Sequence, residues 1–150
     1  MSRKAARELA LHMIFEMDFT HEECTKLISE RMNAESFASL KTEDVLYESL
    51  PAQEQMNYIN DLVKGVHEKT VELDAYIAKY AVGWKVERIS KIAVSILRLS
   101  MYEILYMPDI PDGASINEAV EFTKRYDSKE SSVFVNGILG NFVRTEKSAQ

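Results

Sequence analysis

Cysteine is almost missing from this chain of 150 residues. Cys24 stands alone, so no disulfide can close within the chain, and a single thiol fits a reducing cytosol. Glycine and proline are scarce, at five and three, too few for the many tight turns of a sheet-rich fold. No apolar run approaches the roughly 18 residues that mark a membrane span. The charged start, Arg3, Lys4, Arg7 and Glu8, has no apolar stretch behind it of the kind a secretory signal carries. No membrane partner is expected, and the location implied is cytoplasmic. There is no Gly-rich phosphate loop, no G-x-S-x-G elbow and no C-x-x-C pair. His12 and His67 each lack a second His or Cys one helical turn away, as zinc-type spacing requires. The run His21-Glu22-Glu23-Cys24 points around a turn rather than converging. Neither a metal nor a cofactor is expected, there is no catalytic residue to name, and the chain reads as no enzyme.

What is present is apolar and helix-forming. Hydrophobic residues make up 46% of the chain, enough for a real core, and Leu, Ala, Glu, Lys, Met and Ile dominate. The net charge is −6, which argues against a general polyanion binder, but it is unevenly spread. Residues 1–7 carry three basic and no acidic side chains, while residues 8–76 carry five basic and fifteen acidic ones. A basic tip on an acidic half suggests a local anion contact.

From Met56 to Ala81, Ile59, Leu62, Val63, Val66, Leu73, Ile77 and Tyr80 recur at spacings of three and four, which predicts one long amphipathic helix. Pro51 suits its first turn and Gly83 its stop. A second helix is expected from Val86 to Met107, apolar on several sides and therefore central, ended by Pro108 and Pro111. Thr20 with Glu23, and Ser115 with Glu118, have the spacing of capping boxes that start helices. The first helix spans about Arg3 to Phe19, and the last starts near Lys129 and packs Val133, Phe134, Gly137, Ile138 and Phe142. Gly137 inside a helix costs about 1 kcal/mol against Ala, and a closely crossing neighbour is the expected compensation. Residues 33–50, around Phe37, Leu40, Val45 and Leu46, give mixed signals. The fold class is all-α: a bundle of six to seven helices in two three-helix-type sub-bundles, about 1–82 and 84–145.

If the first helix forms, Arg3 and Arg7 lie one turn apart with Lys4 beside them, at the positive end of the helix dipole. Such a cluster grips phosphates without reading sequence; a solvated, frayed terminus is the plain alternative. Tyr126, Phe134 and Phe142 are either core residues or a stacking platform for unpaired bases. Arg98 and Glu103, in the central helix, read as structural partners at the edge of the core.

Four segments, in order and at matching spacing, resemble the NusB family. They are Ala6-Arg7-Glu8-Leu9-Ala10, Ile96 to Glu103, Ile116-Asn117-Glu118-Ala119-Val120-Glu121, and Phe134-Val135-Asn136-Gly137-Ile138-Leu139. The resemblance covers nearly the whole chain except residues 33–50. It implies an RNA-binding transcription antitermination factor that binds the boxA element of ribosomal RNA leader transcripts, a single-stranded RNA. It also implies two protein partners, the small-subunit ribosomal protein NusE and the RNA polymerase antitermination complex. Carried over by position, the resemblance assigns RNA contact to Arg3, Lys4, Arg7 and Phe134, and NusE contact to Phe15. With Ala5 and Ala6 at the tip, the start is less arginine-rich than in the most basic members. Three phosphate contacts on a single strand give a log–log salt slope near −2, so NusE is expected to supply part of the grip. A similar domain precedes the catalytic domain of some RNA cytosine methyltransferases, but a chain of 150 residues leaves no room for that large α/β domain. The competing class is a non-RNA-binding helical module for protein interaction or dimerisation; monomer and homodimer are both open. Charge reversal at Arg3 and Arg7 separates the two classes.

Overall fold

The computed structural model describes residues 1–33, 35–36, 50–83 and 88–147. Among them are seven α-helices with both ends defined and no strand, the all-α class expected. The expectations for Phe37, Leu40, Val45 and Leu46 lie outside the described residues. Two compact units, Met1–His67 and Glu68–Gln150, make up the chain.

In the first unit, α1 (Arg3–Thr20) starts at Ser2, whose Oγ accepts a hydrogen bond from the Ala5 amide at 3.1 Å. That side-chain cap satisfies one of the amides a helix start leaves unpaired. Ala6, Leu9, Ala10, Met13, Ile14 and Met17 form the buried face. The Thr20–Glu23 capping box does not form. α1 runs through Thr20, whose hydroxyl donates back to the Glu16 carbonyl at 3.2 Å, and His21 closes the helix in the left-handed region at φ 54°. Glu23 caps α2 (Cys24–Arg31) by itself, its carboxylate accepting from the Thr25 and Lys26 amides, both at 2.9 Å. Those bonds hold its carboxyl below the usual carboxylate range. One carboxylate at the dipole's positive end serves two amides, and the Thr20 hydroxyl accepts instead from the Glu22 amide at 3.3 Å, in the turn before α2. Arg31 pairs with Glu16 and ties α2 back to α1. Cys24 is buried at the start of α2. α3 (Gln53–Glu68) buries Tyr58, Ile59, Leu62, Val63 and Val66.

The long helix expected from Met56 to Ala81 is two helices. α3 ends at Glu68, and Lys69, at φ −100° and ψ 12°, interrupts the chain before α4 (Thr70–Tyr80). The apolar spacing runs across this residue unchanged, so periodicity alone merged the two.

In the second unit, α4 buries Leu73, Ile77 and Tyr80, and Gly83 beyond it has φ +84°, open to glycine without strain. α5 (Lys91–Tyr106) begins later than Val86 because Ser90 caps it, accepting from the Ala93 amide at 3.2 Å and donating to Asp127 at 2.7 Å. Residues 84–87 lie outside the described residues. Ala93, Ile96, Leu97, Leu99, Met101 and Ile104 are all buried, and α5 is central as its apolar faces predict, packed by α4, α6 and α7.

α6 (Asp112–Tyr126) starts before the expected Ser115–Glu118 capping box. Ser115 sits inside the helix, buried, and its Oγ donates at 3.0 Å to the carboxylate of Glu103, which is 0% exposed. A buried carboxylate must be hydrogen-bonded, and that bond uses the hydroxyl the cap would have taken. Arg98 holds Asp74 with two bonds of 2.7 and 2.9 Å, joining α5 to α4. α7 (Lys129–Phe142), capped by Ser128, buries Val135, Ile138, Leu139 and Phe142. Val133, expected in the core, is 71% exposed. Among the described residues no helix crosses at Gly137 either, since a Cβ there would meet nothing within 4 Å. The chain then widens into a π-helical turn, Val143–Lys147. Lys147 reaches Asp112 at 3.1 Å and the Ile104 carbonyl at 3.4 Å, while Glu146 accepts from Lys79 at 2.7 Å and from the Tyr80 hydroxyl.

Candidate nucleic-acid interface

The start of α1 places Arg3 and Lys4 at the first two helical positions, and the first turn holds no acidic residue. Cations at the positive end of the dipole are locally unfavourable, so this turn breaks a rule of helix stability where a functional surface commonly does. Lys4 is exposed. The Arg3 guanidinium lies 3.9 Å from the centroid of the Tyr58 ring, its Nε donates to Gln55 Oε1 at 2.9 Å, and the Glu54 carboxylate stands 4.0 Å from it. Arg7 differs from both: it is 5% exposed and engaged within the protein. The predicted cluster of three is thus two cations at the surface with a third beneath.

Phe134, in the second unit, is half-buried and lines an open groove of about 470 Å³ with Tyr80, Val82, Val133, Gly137 and Asn141. Val82 and Val133 are 81% and 71% exposed, so Phe134 sits in an apolar surround facing solvent, with the bare Gly137 backbone beside it. Glu130 and Asn141 add polar groups to the same groove, and Phe134 is itself engaged within the protein. The other two aromatic candidates separate clearly. Phe142 is 0% exposed and belongs to the core, whereas Tyr126 is exposed with the Arg125 guanidinium 5.1 Å from its ring centroid.

Phe15 is half-buried and stacks edge-on against Phe19, their centroids 4.8 Å apart. Phe19 is 53% exposed and was not among the residues singled out from the sequence. The signal was available as the Phe15–Phe19 spacing of one helical turn. Among the described residues, no three His, Cys, Asp or Glu side chains gather as metal ligands, and no helix is long and apolar enough to cross a membrane.

Fold and surface define an all-helical protein whose distinctive side chains lie on a helix start and an aromatic groove. The chain belongs to the NusB family, whose profile matches residues 4–144. A relative from Ruminiclostridium cellulolyticum, named transcription antitermination protein NusB, is 39% identical over 93% of this chain and 86% of its own length. The solved structure of T. maritima NusB superposes with a TM-score of 0.78 at 27% identity, covering 97% of this chain and 92% of that one. NusB in a crystal structure of the antitermination factors NusB and NusE with double-stranded RNA shares the fold. Its TM-score is 0.75 at 21% identity, over 95% of this chain and 96% of that one.

Proposed function

We propose that this chain is a cytoplasmic RNA-binding transcription antitermination factor that binds the boxA element of ribosomal RNA leader transcripts paired with NusE. In that pair it joins the RNA polymerase antitermination complex. The observation that carries the reading is the pair of cations at the surface, the exposed Lys4 and the half-buried Arg3, at the positive end of α1 with no acidic residue in that turn. Arg7 lies buried beneath them, and Phe134, on the groove with Val82, Val133 and Gly137, is the base contact in this reading. The Phe15–Phe19 face is the NusE contact, a half-buried ring beside an exposed one, an aromatic pair of the kind that anchors protein interfaces.

Few phosphate contacts mean weak binding alone. Fluorescence anisotropy with a boxA RNA and a scrambled control, with and without NusE, tests the pairing. The chain alone is expected to bind weakly, with a salt slope of about −2 or shallower. The heterodimer is expected to bind more tightly, more steeply with salt, and to prefer boxA. Equal affinities with and without NusE overturn the pairing, and sedimentation of the same samples decides between monomer and homodimer.

Gly137→Ala separates stability from function. Its Cβ enters open space, so α7 is expected to gain about 0.5–1 kcal/mol in urea unfolding. The same methyl narrows the groove beside Phe134, so RNA affinity is expected to fall. A variant that is more stable and binds RNA as well as before removes the groove from the RNA path.

A further inference from the structure

Three side chains from the first turns of α3 meet Arg3, and each meets a different part of it. The Tyr58 ring takes one face of the guanidinium at 3.9 Å, Gln55 accepts from Nε at 2.9 Å, and Glu54 stands 4.0 Å from Nη2. Tyr58 is 5% exposed, whereas the Arg3 side chain keeps 36% of its surface and Glu54 keeps 85%. Flat face and Nε are therefore engaged by a buried ring and an amide, and Nη2 faces a carboxylate that lies mostly in solvent.

We propose that Tyr58 and Gln55 are positioning residues for RNA: they hold Arg3 in its bound rotamer, Nη edge outward, before a phosphate arrives. The proposal rests on the reading of Arg3 as a phosphate contact. Glu54 occupies the anion's side of the guanidinium in the free protein and swings into solvent when a phosphate replaces it. The physical gain is entropic. An arginine near a chain end samples many rotamers, and freezing such a side chain on binding lowers affinity by about 2- to 10-fold. A side chain already held by stacking and one hydrogen bond avoids most of that loss. Only arginine fits the cradle, because lysine has neither a planar face nor an Nε donor.

The test is a double-mutant cycle on the full chain with NusE, read by anisotropy of a fluorescein-labelled boxA RNA at several salt concentrations. Gln55→Ala is expected to weaken binding about threefold with an unchanged salt slope and unchanged melting, since no phosphate contact is removed. Arg3→Ala is expected to weaken binding further and make the slope shallower by about 0.7. In the Arg3→Ala background, Gln55→Ala should have no further effect. Arg3→Lys should keep the slope yet lose affinity as Gln55→Ala does.

If Arg3→Ala weakens binding but Gln55→Ala is silent, or acts equally in both backgrounds, the positioning role is overturned and the RNA reading stands. If Arg3→Ala itself is silent, the RNA reading of Arg3 falls, and the cradle's role with it.

Discussion

Reversing the two surface charges at the start of α1, Arg3→Glu together with Lys4→Glu, is expected to weaken RNA binding about 100-fold and leave the fold intact. The magnitude follows from removing two charge-assisted hydrogen bonds to phosphate at about 1.5 kcal/mol each, with 1.4 kcal/mol per tenfold. The fold should tolerate the change because Lys4 is exposed and Arg3 keeps a third of its surface. Acidic side chains in a first turn also suit the helix dipole better than cations do, by about 0.3–1 kcal/mol, which offsets the missing stack on the Tyr58 ring. Melting and far-UV circular dichroism check the fold, and anisotropy with boxA RNA checks the affinity. The sequence pointed to Arg3 and Arg7 for this experiment. Burial of Arg7 makes reversal there a test of folding, so Lys4 takes its place. Unchanged RNA affinity in a folded double variant would favour the protein-interaction module instead.

Phe142→Ala should be the most damaging single truncation in the second unit, at about 3–5 kcal/mol in urea unfolding. Phe142 is 0% exposed at the end of α7, and it receives two edge-on rings from α4, Tyr76 at 5.1 Å and Tyr80 at 5.9 Å between centroids. Removing the ring leaves a cavity between rigid aromatic neighbours that cannot fold inward to fill it. Phe142→Leu keeps much of the volume and loses mainly the ring-to-ring geometry, worth about 0.5–1.5 kcal/mol per pair, so it should cost clearly less. A loss below about 1 kcal/mol for the alanine variant would mean that α7 is not seated on α4 by this ring. The damage should also reach function, because Phe134 lies two turns earlier on the same helix.

The helices were legible where one face is buried and one is not. α1 begins at Arg3 and α7 at Lys129, as the patterns of apolar residues indicate. The misreadings arose where a local pattern was not the whole environment of the residue. Ser115 and Glu118 have the spacing of a cap, but the Ser115 hydroxyl is claimed by Glu103 twelve residues earlier. Lys69 interrupts a stripe whose spacing is continuous on both sides. Gly137 read as a packing device because a bare backbone in a helix suggested a neighbour, and the space turned out to be open. The burial of Arg7 did leave a trace, since it falls one turn before Ala10 and Leu11 and two before Ile14, on the apolar side of α1. The cradle around Arg3 left none. Gln55 lies 52 residues away from Arg3, and no local spacing encodes a contact of that kind.

The lone thiol has a practical meaning beyond redox compartment. Cys24 is 5% exposed, so maleimide reagents should pass over it in the folded protein. A single cysteine introduced at an exposed position that lines the Phe134 groove, such as Asn141, could then carry a fluorophore without first removing the native one. The chain is in effect prepared for site-specific labelling, and a dye beside the Phe134 groove would report RNA arrival there directly.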